Sequence, residues 1–386
     1  MTLLDLLADI PTPAYVADLA RLKANLATAA KVRRETGTTV LLATKAFAMP
    51  ALFPLFRDTL DGNTASGLFE ARMGREEFGK QVHVYSPAYK ESEFEEILGL
   101  ADDVYFNSAE QVARYLPRAK SAGRKVGLRI NPGFSNSTVG GDLYNPCSSG
   151  SRFGAPEHTL GDIPWGDIDI LHAHALCQSG HAASIGLIER IAGAFGHLVN
   201  KVSAVNFGGG HYFNDPAYDV DALIAALNRF RDTFPHVETI MEPGGTLVMD
   251  AGYLVATVLD VYRNDKTIAI LDASAPCHMP DVLIAGWHAP VIGAGGPGEK
   301  PHTYTLAGNT CMTGDIIGEY SFDAPLKPGD RVIFGDQLQY SFVQASTFNG
   351  VPLPDFYALH EDGSTERLSR FSYDDFRSRL GNGTAG

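Results

Sequence analysis

Five groups able to do chemistry stand out in this chain: a lysine behind an apolar run, a glycine turn, a carboxylate, a pair of histidines and a thiol. Lys45 directly follows Leu41-Leu42-Ala43-Thr44 and precedes Ala46-Phe47. An amine in such surroundings loses stabilisation of its charged form, so its pKa falls and it becomes a competent Schiff-base nucleophile. The same placement also suits a lysine that only snorkels from a strand end. Asn206-Phe207-Gly208-Gly209-Gly210-His211 leaves an apolar run through consecutive glycines. Backbone N–H groups without side chains can converge on a phosphate there, although an ordinary tight turn uses the same residues. Glu242, in Met241-Glu242-Pro243-Gly244-Gly245, is either a capping or ion-paired carboxylate or one that holds a proton on a pyridine nitrogen. His172 and His174 alternate along a strand and therefore share a face. They suggest a zinc pair, but no third ligand accompanies them at a convincing spacing, and no metal is expected. Cys311, in Gly308-Asn309-Thr310-Cys311-Met312-Thr313-Gly314-Asp315, is either a buried inert thiol or, given its polar loop, a partly exposed proton donor.

These groups fall at the ends of regularly spaced β-branched and apolar runs. Leu41–Thr44, Thr59–Asp61, Val82–Tyr85, Val104–Phe106, Val126–Ile130, Ile168–His172, Val202–Phe207 and Val237–Met241 read as strands, most of them followed by a stretch of helical period. Asp18 caps one such stretch, in which Leu19, Leu22 and Leu26 recur three and four apart. Alternating units of this kind, about eight in number, predict a (β/α)8 TIM barrel, an α/β fold whose chemistry sits at the C-terminal strand ends. Lys45, His174, the glycines and Glu242 all fall at such ends. The glycine turn closes the seventh run, a position where barrels often bind phosphate. Beyond residue 246 the rhythm changes to strands and turns, as in Tyr253–Val258, Thr267–Leu271, His302–Leu306 and Arg331–Phe334. The expected division is a barrel over 25–245 and a β-rich domain made of 1–24 and 246–386.

Composition narrows the class. A chain of 386 residues, 45% hydrophobic and 20% charged, has room for one large barrel and a smaller partner domain. With 31 Lys+Arg against 45 Asp+Glu the net charge is -14, which repels phosphate backbones and argues against nucleic-acid binding. No apolar run reaches the roughly 18 to 20 residues of a membrane span, and the N-terminus lacks the pattern of a signal peptide. Cys147, Cys177, Cys277 and Cys311 lie far apart without a Cys-x-x-Cys pair. This fits reduced thiols and a cytoplasmic protein.

Taken together, Ala43-Thr44-Lys45-Ala46-Phe47, His174-Ala175-Leu176-Cys177, Gly208-Gly209-Gly210-His211, Glu242-Pro243-Gly244 and Gly308-Asn309-Thr310-Cys311 resemble the fold-type III decarboxylases that use pyridoxal 5'-phosphate. Within that group the chain is most similar to the carboxynorspermidine/carboxyspermidine decarboxylases of polyamine biosynthesis, from about residue 12 to 358. The resemblance implies that Lys45 holds the cofactor covalently, His174 stacks on its ring, and Gly208, Gly209 and Gly210 bind its phosphate together with Tyr340. It implies that Glu242 pairs with the ring nitrogen. It further implies a homodimer whose active site is shared between chains, with Cys311 of one subunit returning a proton to the α-carbon in the other.

The chain also departs from that pattern. His174-Ala175-Leu176-Cys177-Gln178 stands where the family has His-Asn-Leu-Cys-Glu, and Leu283-Ile284-Ala285-Gly286-Trp287 where it has Leu-Glu-Met-Pro-Tyr. Two acidic positions for a cationic substrate are thus neutral, leaving Asp281 and Asp315 as candidate partners for its ammonium groups beside Gln178. The expected reaction is decarboxylation of an amino acid with an amine-bearing side chain, most simply carboxynorspermidine or carboxyspermidine. The runner-up is the same reaction on a less cationic amino acid. A non-catalytic cofactor-binding paralogue would be expected to have lost Lys45 or Cys311, and both are present.

Overall fold

The computed structural model describes residues 2–135 and 144–381. The chain forms two compact units, one built from the segment up to Leu22 together with that from Val248 onwards, the other from Lys23–Leu247. Strand β1, Ala14–Asp18, belongs to the first unit and leads into the helix Leu19–Thr36. Asp18 caps that helix, its Oδ1 accepting from the Arg21 N–H at 3.1 Å.

The second unit is a closed barrel of eight parallel strands: β2 (Thr39–Ala43), β3 (Gly62–Ala65), β4 (Gln81–Tyr85), β5 (Asp103–Phe106), β6 (Lys125–Arg129), β7 (Ile170–His172), β8 (Ala204–Asn206) and β9 (Glu238–Met241). Closure comes from β9 pairing back onto β2, with Thr39 opposite Ile240. The second barrel strand, β3, lies a few residues later than the sequence suggests. Thr59 and Leu60 donate their N–H groups to Phe56 O, so they finish the preceding helix instead of starting a strand. Alternation sorts the side chains. Leu41, Tyr105, Ile170, Ala204 and Ile240 meet in one buried cluster, with Tyr85 against it. Gly127 lies opposite both Tyr105 and Ile170 in register. A Cβ at Gly127 would stand 2.2 Å from Tyr105 Cδ1, so the missing side chain makes room for the tyrosine ring.

The first unit is an eight-stranded, mostly antiparallel sheet. It contains β10 (Gly252–Asn264), β11 (Lys266–Leu271), β12 (His302–Ala307), β13 (Ile316–Phe322), β14 (Arg331–Gly335), β15 (Asp355–Leu359) and β16 (Thr365–Ser369). The N-terminal β1 is inserted between β10, antiparallel, and β15, parallel. Its alternate residues Ala14 and Val16 pack with Leu7, Tyr253, Val255, Ile333, Tyr357 and Leu359. The barrel and the added β-rich sheet agree with the expected fold class. Among the described residues no helix is long and apolar enough to cross a membrane.

Gly127→Ala should lower the unfolding free energy by about 1–3 kcal/mol, because the new methyl must displace a fully buried ring. Urea unfolding of the two proteins side by side measures it.

Candidate active site

The inward parity of β2 runs through Leu41 and Ala43 to Lys45, one step beyond the strand. Thr44, of opposite parity, anchors the turn, with its Oγ1 2.9 Å from Thr64 O and 3.0 Å from Glu70 Oε2. Lys45 keeps accessible surface, as a side chain in a concave mouth does, yet protein surrounds it closely. Loss of hydration, followed by repulsion from Arg129, lowers its pKa.

The turn after β8 must be glycine on geometric grounds. Gly208 and Gly210 have φ of 67° and 88°. A Cβ on Gly209 would lie 2.5 Å from Glu242 O, and one on Gly210 2.1 Å from Leu176 O. The Gly209 N–H donates to His174 Nδ1 at 3.1 Å, which leaves the proton of the neutral imidazole on Nε2. Burial and the charges of Lys45 and Arg129 hold His174 well below the usual histidine range, so it presents a neutral ring. His211 braces the turn from behind. Its Nε2 donates to Phe207 O at 3.2 Å, and its Nδ1 lies 2.8 Å from Ser184 Oγ, itself bonded by Tyr218 OH.

Glu242 follows β9 and is 4% exposed. Burial pushes its carboxyl up, but His172, the Asn206 amide and His83 outweigh that and hold it down at about 2. Asn206 Nδ2 donates to Glu242 Oε1 at 2.9 Å. His172 Nε2 lies 3.5 Å from Glu242 Oε2 without hydrogen-bond geometry, and neither of its ring nitrogens has a hydrogen-bond partner among the described residues. The third group that the sequence lacks beside the two histidines is supplied by the fold: His172, His174 and Glu242 each bring a possible ligand atom within 4.8 Å of the others. Arg129 crosses the same region, its guanidinium over the Tyr85 ring at 4.8 Å and donating to His174 O at 2.7 Å.

Lys45, His174, Gly208–Gly210 and Glu242 are therefore gathered by one end of the barrel. Gln178 is on the same unit, exposed and strained at φ 43°. The remaining candidates lie in the sheet unit. Cys311 is exposed, and its N–H donates to Asn349 Oδ1 at 2.7 Å. Tyr340 sits half-buried at φ 60°, and Asp281 opens a short helix that leaves Leu283 and Ile284 exposed. Asp315 has another use than the one read from the sequence. It is 3% exposed, its Oδ1 accepts from the Ala275 N–H at 2.8 Å, and its Oδ2 accepts from the Thr310 hydroxyl at 2.7 Å. Oδ1 thus ties the Cys311 loop to Ala275, and Oδ2 braces the loop through Thr310.

The sequence reading overlooked Arg129, Asn206, Tyr105 and His83. The signal was present, since these are polar residues at inward parity in strands that are otherwise apolar.

A lysine, a neutral histidine, a glycine turn and a buried anion on one barrel end define a site for an aromatic aldehyde cofactor. A family model described as "Pyridoxal-dependent decarboxylase, C-terminal sheet domain" matches residues 14–337. The chain is 41% identical to the carboxyaminopropylagmatine decarboxylase of Synechocystis sp., covering 97% of each chain. It is 37% identical to the carboxynorspermidine/carboxyspermidine decarboxylase of Campylobacter jejuni, over 96% of this chain and 98% of that one. The crystal structure of the C. jejuni carboxynorspermidine decarboxylase complexed with norspermidine superimposes with a TM-score of 0.88 at 35% identity, covering 96% of this chain and 100% of that one. The chain belongs to the pyridoxal-dependent decarboxylase family, and it is an enzyme of that class. Its residues fit the cofactor. The glycine turn forms a cradle that any Cβ would fill, and a neutral histidine and a buried carboxylate anion stand at the same barrel end.

Burial also sets an acid limit. It depresses His211 to about 4. A base depressed on folding contributes stability that is complete above about pH 6.5 and is lost as pH falls toward 4, at about 1.4 kcal/mol per pH unit. Urea unfolding between pH 7.5 and 5 should show this fall, and His211→Gln should flatten it by up to that slope.

Proposed function

We propose that this decarboxylase removes the α-carboxylate of carboxynorspermidine or carboxyspermidine in polyamine biosynthesis, as a homodimer with a shared active site in the cytoplasm. The observation that carries the reading is the near full-length likeness to a norspermidine-bound relative, joined to a barrel end that retains Lys45, His174, the glycine turn and Glu242. Four free cysteines suit a reducing compartment. When bound, pyridoxal 5'-phosphate supplies the electron sink that accepts the bonding pair released with carbon dioxide.

The chain's own groups do the rest. Lys45, its charged form disfavoured, offers the amine that fastens the aldehyde. Gly208, Gly209 and Gly210 give the phosphate a backbone cradle with no side chain in the way, and Tyr340 is a further candidate for binding it. His174 lays a neutral ring against the aromatic system, so stacking adds no charge. Glu242 keeps a proton on the ring nitrogen. Cys311, on its exposed and fastened loop, delivers a proton to the α-carbon of a substrate held by the partner subunit.

A second reading takes carboxyaminopropylagmatine as the substrate, favoured by the 41% identical relative and by neutral residues at Gln178 and Ile284. Asp281 is then the remaining carboxylate candidate for a distal cation. Carbon dioxide release from the three named compounds decides between the readings, and no release from any of them overturns both.

Glu242→Gln should keep the cofactor absorbance while kcat falls by about 10²- to 10³-fold. Unchanged kcat would remove Glu242 from the ring-nitrogen role. Gln178→Glu should raise kcat/KM for carboxynorspermidine about tenfold or more, because an ammonium regains a charged partner. No change would place Gln178 outside substrate contact.

A further inference from the structure

Beneath the site, a continuous line of buried polar groups crosses the barrel. In register, His83 lies opposite Asp103 and Tyr85 opposite Tyr105, so all four point inward. Asp103 Oδ2 is 3.3 Å from His83 Nε2, and His83 Nδ1 is 2.9 Å from Tyr105 OH. Asn206 Nδ2 is 3.2 Å from Tyr105 OH and 2.9 Å from Glu242 Oε1. His83, Tyr105 and Asn206 are each at most 1% exposed.

The direction of every bond follows from valence. Asn206 Oδ1 accepts from the Gly208 N–H at 2.8 Å, which fixes the amide so that its two protons face Tyr105 and Glu242. The Tyr105 oxygen accepts from Asn206, so its single proton goes to His83 Nδ1. His83 must then carry its proton on Nε2, where Gln81 Oε1 accepts at 3.2 Å and the Asp103 carboxylate lies at 3.3 Å without hydrogen-bond geometry. Both ends demand the same tautomer. Asp103 polarises His83, which strengthens the Tyr105 bond and makes the phenol oxygen a better acceptor for Asn206.

We propose that Asn206, Tyr105 and His83 are positioning residues that form a one-way hydrogen-bond chain ending on Gln81, with the Asp103 carboxylate at ion-pair distance from His83, aligning the Asn206 amide on Glu242 and keeping it an anion. Every proton on the chain is committed away from Glu242 except one amide N–H, which an amide does not surrender. No member can therefore hand Glu242 a proton. Lys45, Arg129 and His172 also face Glu242 and favour or adjoin its charge, but none of them orients the amide. The proposal rests on Glu242 being the partner of the ring nitrogen.

Nitrogen-15 NMR of histidine-labelled, cofactor-free protein at neutral pH reads the chain directly. His83 should show a protonated Nε2 and an unprotonated Nδ1. An Nδ1–H tautomer or a doubly protonated ring overturns the proposal. In the loaded enzyme, Tyr105→Phe should lower kcat about ten- to a hundredfold with KM within about twofold, as for loss of a bond acting through a charged group. Wild-type kcat in that variant also overturns it. In cofactor-free Asn206→Asp, isotope-edited infrared should show a proton retained at neutral pH between two adjacent carboxylates. Two fully ionised carboxylates there would refute the coupling. If Tyr105→Phe fails to fold, the tautomer and the infrared result decide alone. A wild type that releases no carbon dioxide would sink the functional reading and leave the NMR result standing.

Discussion

A buried anion is the constraint around which the barrel interior is organised. Taking the Glu242 carboxylate out of water costs several kcal/mol unless donors and positive charge replace the lost hydration. The barrel supplies them from different strands: an amide from β8, a histidine from β7, a guanidinium from β6 and the lysine beyond β2. Around this line of polar groups, Leu41, Ile170, Ala204 and Ile240 fill the remaining inward space. Gly127 belongs to the same solution, since only a residue without a side chain leaves room for the Tyr105 ring.

The two units divide the chemistry by the kind of precision each can give. Strand ends hold Lys45, His174 and Glu242 at fixed parity, and the backbone hydrogen bond from the Glu242 N–H to Gly208 O ties the β9 end to the glycine turn after β8. Cys311 sits instead on a loop, and loops need fastening. Asp315 and Asn349 provide it through the loop backbone and Thr310, leaving the thiol exposed. A loop with side-chain fasteners of this kind is firm at its base and open at its tip.

Much of this was legible in the sequence. The alternation of apolar runs and helical stretches predicts the barrel, and the chemistry-bearing residues fall at strand ends because only there does the repeat end in polar residues. The second barrel strand was misplaced because Thr59 and Leu60 have strand-like side chains, while the helix-ending bonds to Phe56 are invisible in composition. Strands β13, β15 and β16 were missed because their residues are largely half-exposed and carry no strict alternation. Asp315 is a different case. A carboxylate near a reactive loop looks like a ligand partner, and only the fold shows one oxygen bonded to Thr310 of that loop and the other to the Ala275 N–H. Partners separated by 36 positions, such as Asn206 and Glu242, are set by barrel closure and leave no local trace.

The position of β1 bears on how the chain is made. Ala14 pairs with Val255 and with Asp355, partners that leave the ribosome hundreds of residues later. At roughly 5–20 residues per second, the first of them arrives tens of seconds after β1. During that interval the intervening segment can close its barrel on its own, whereas an apolar strand buried on both flanks in the finished sheet has nothing to pair with. The sheet is therefore completed only after β15 has been made, and β1, among the first segments synthesised, waits for partners among the last.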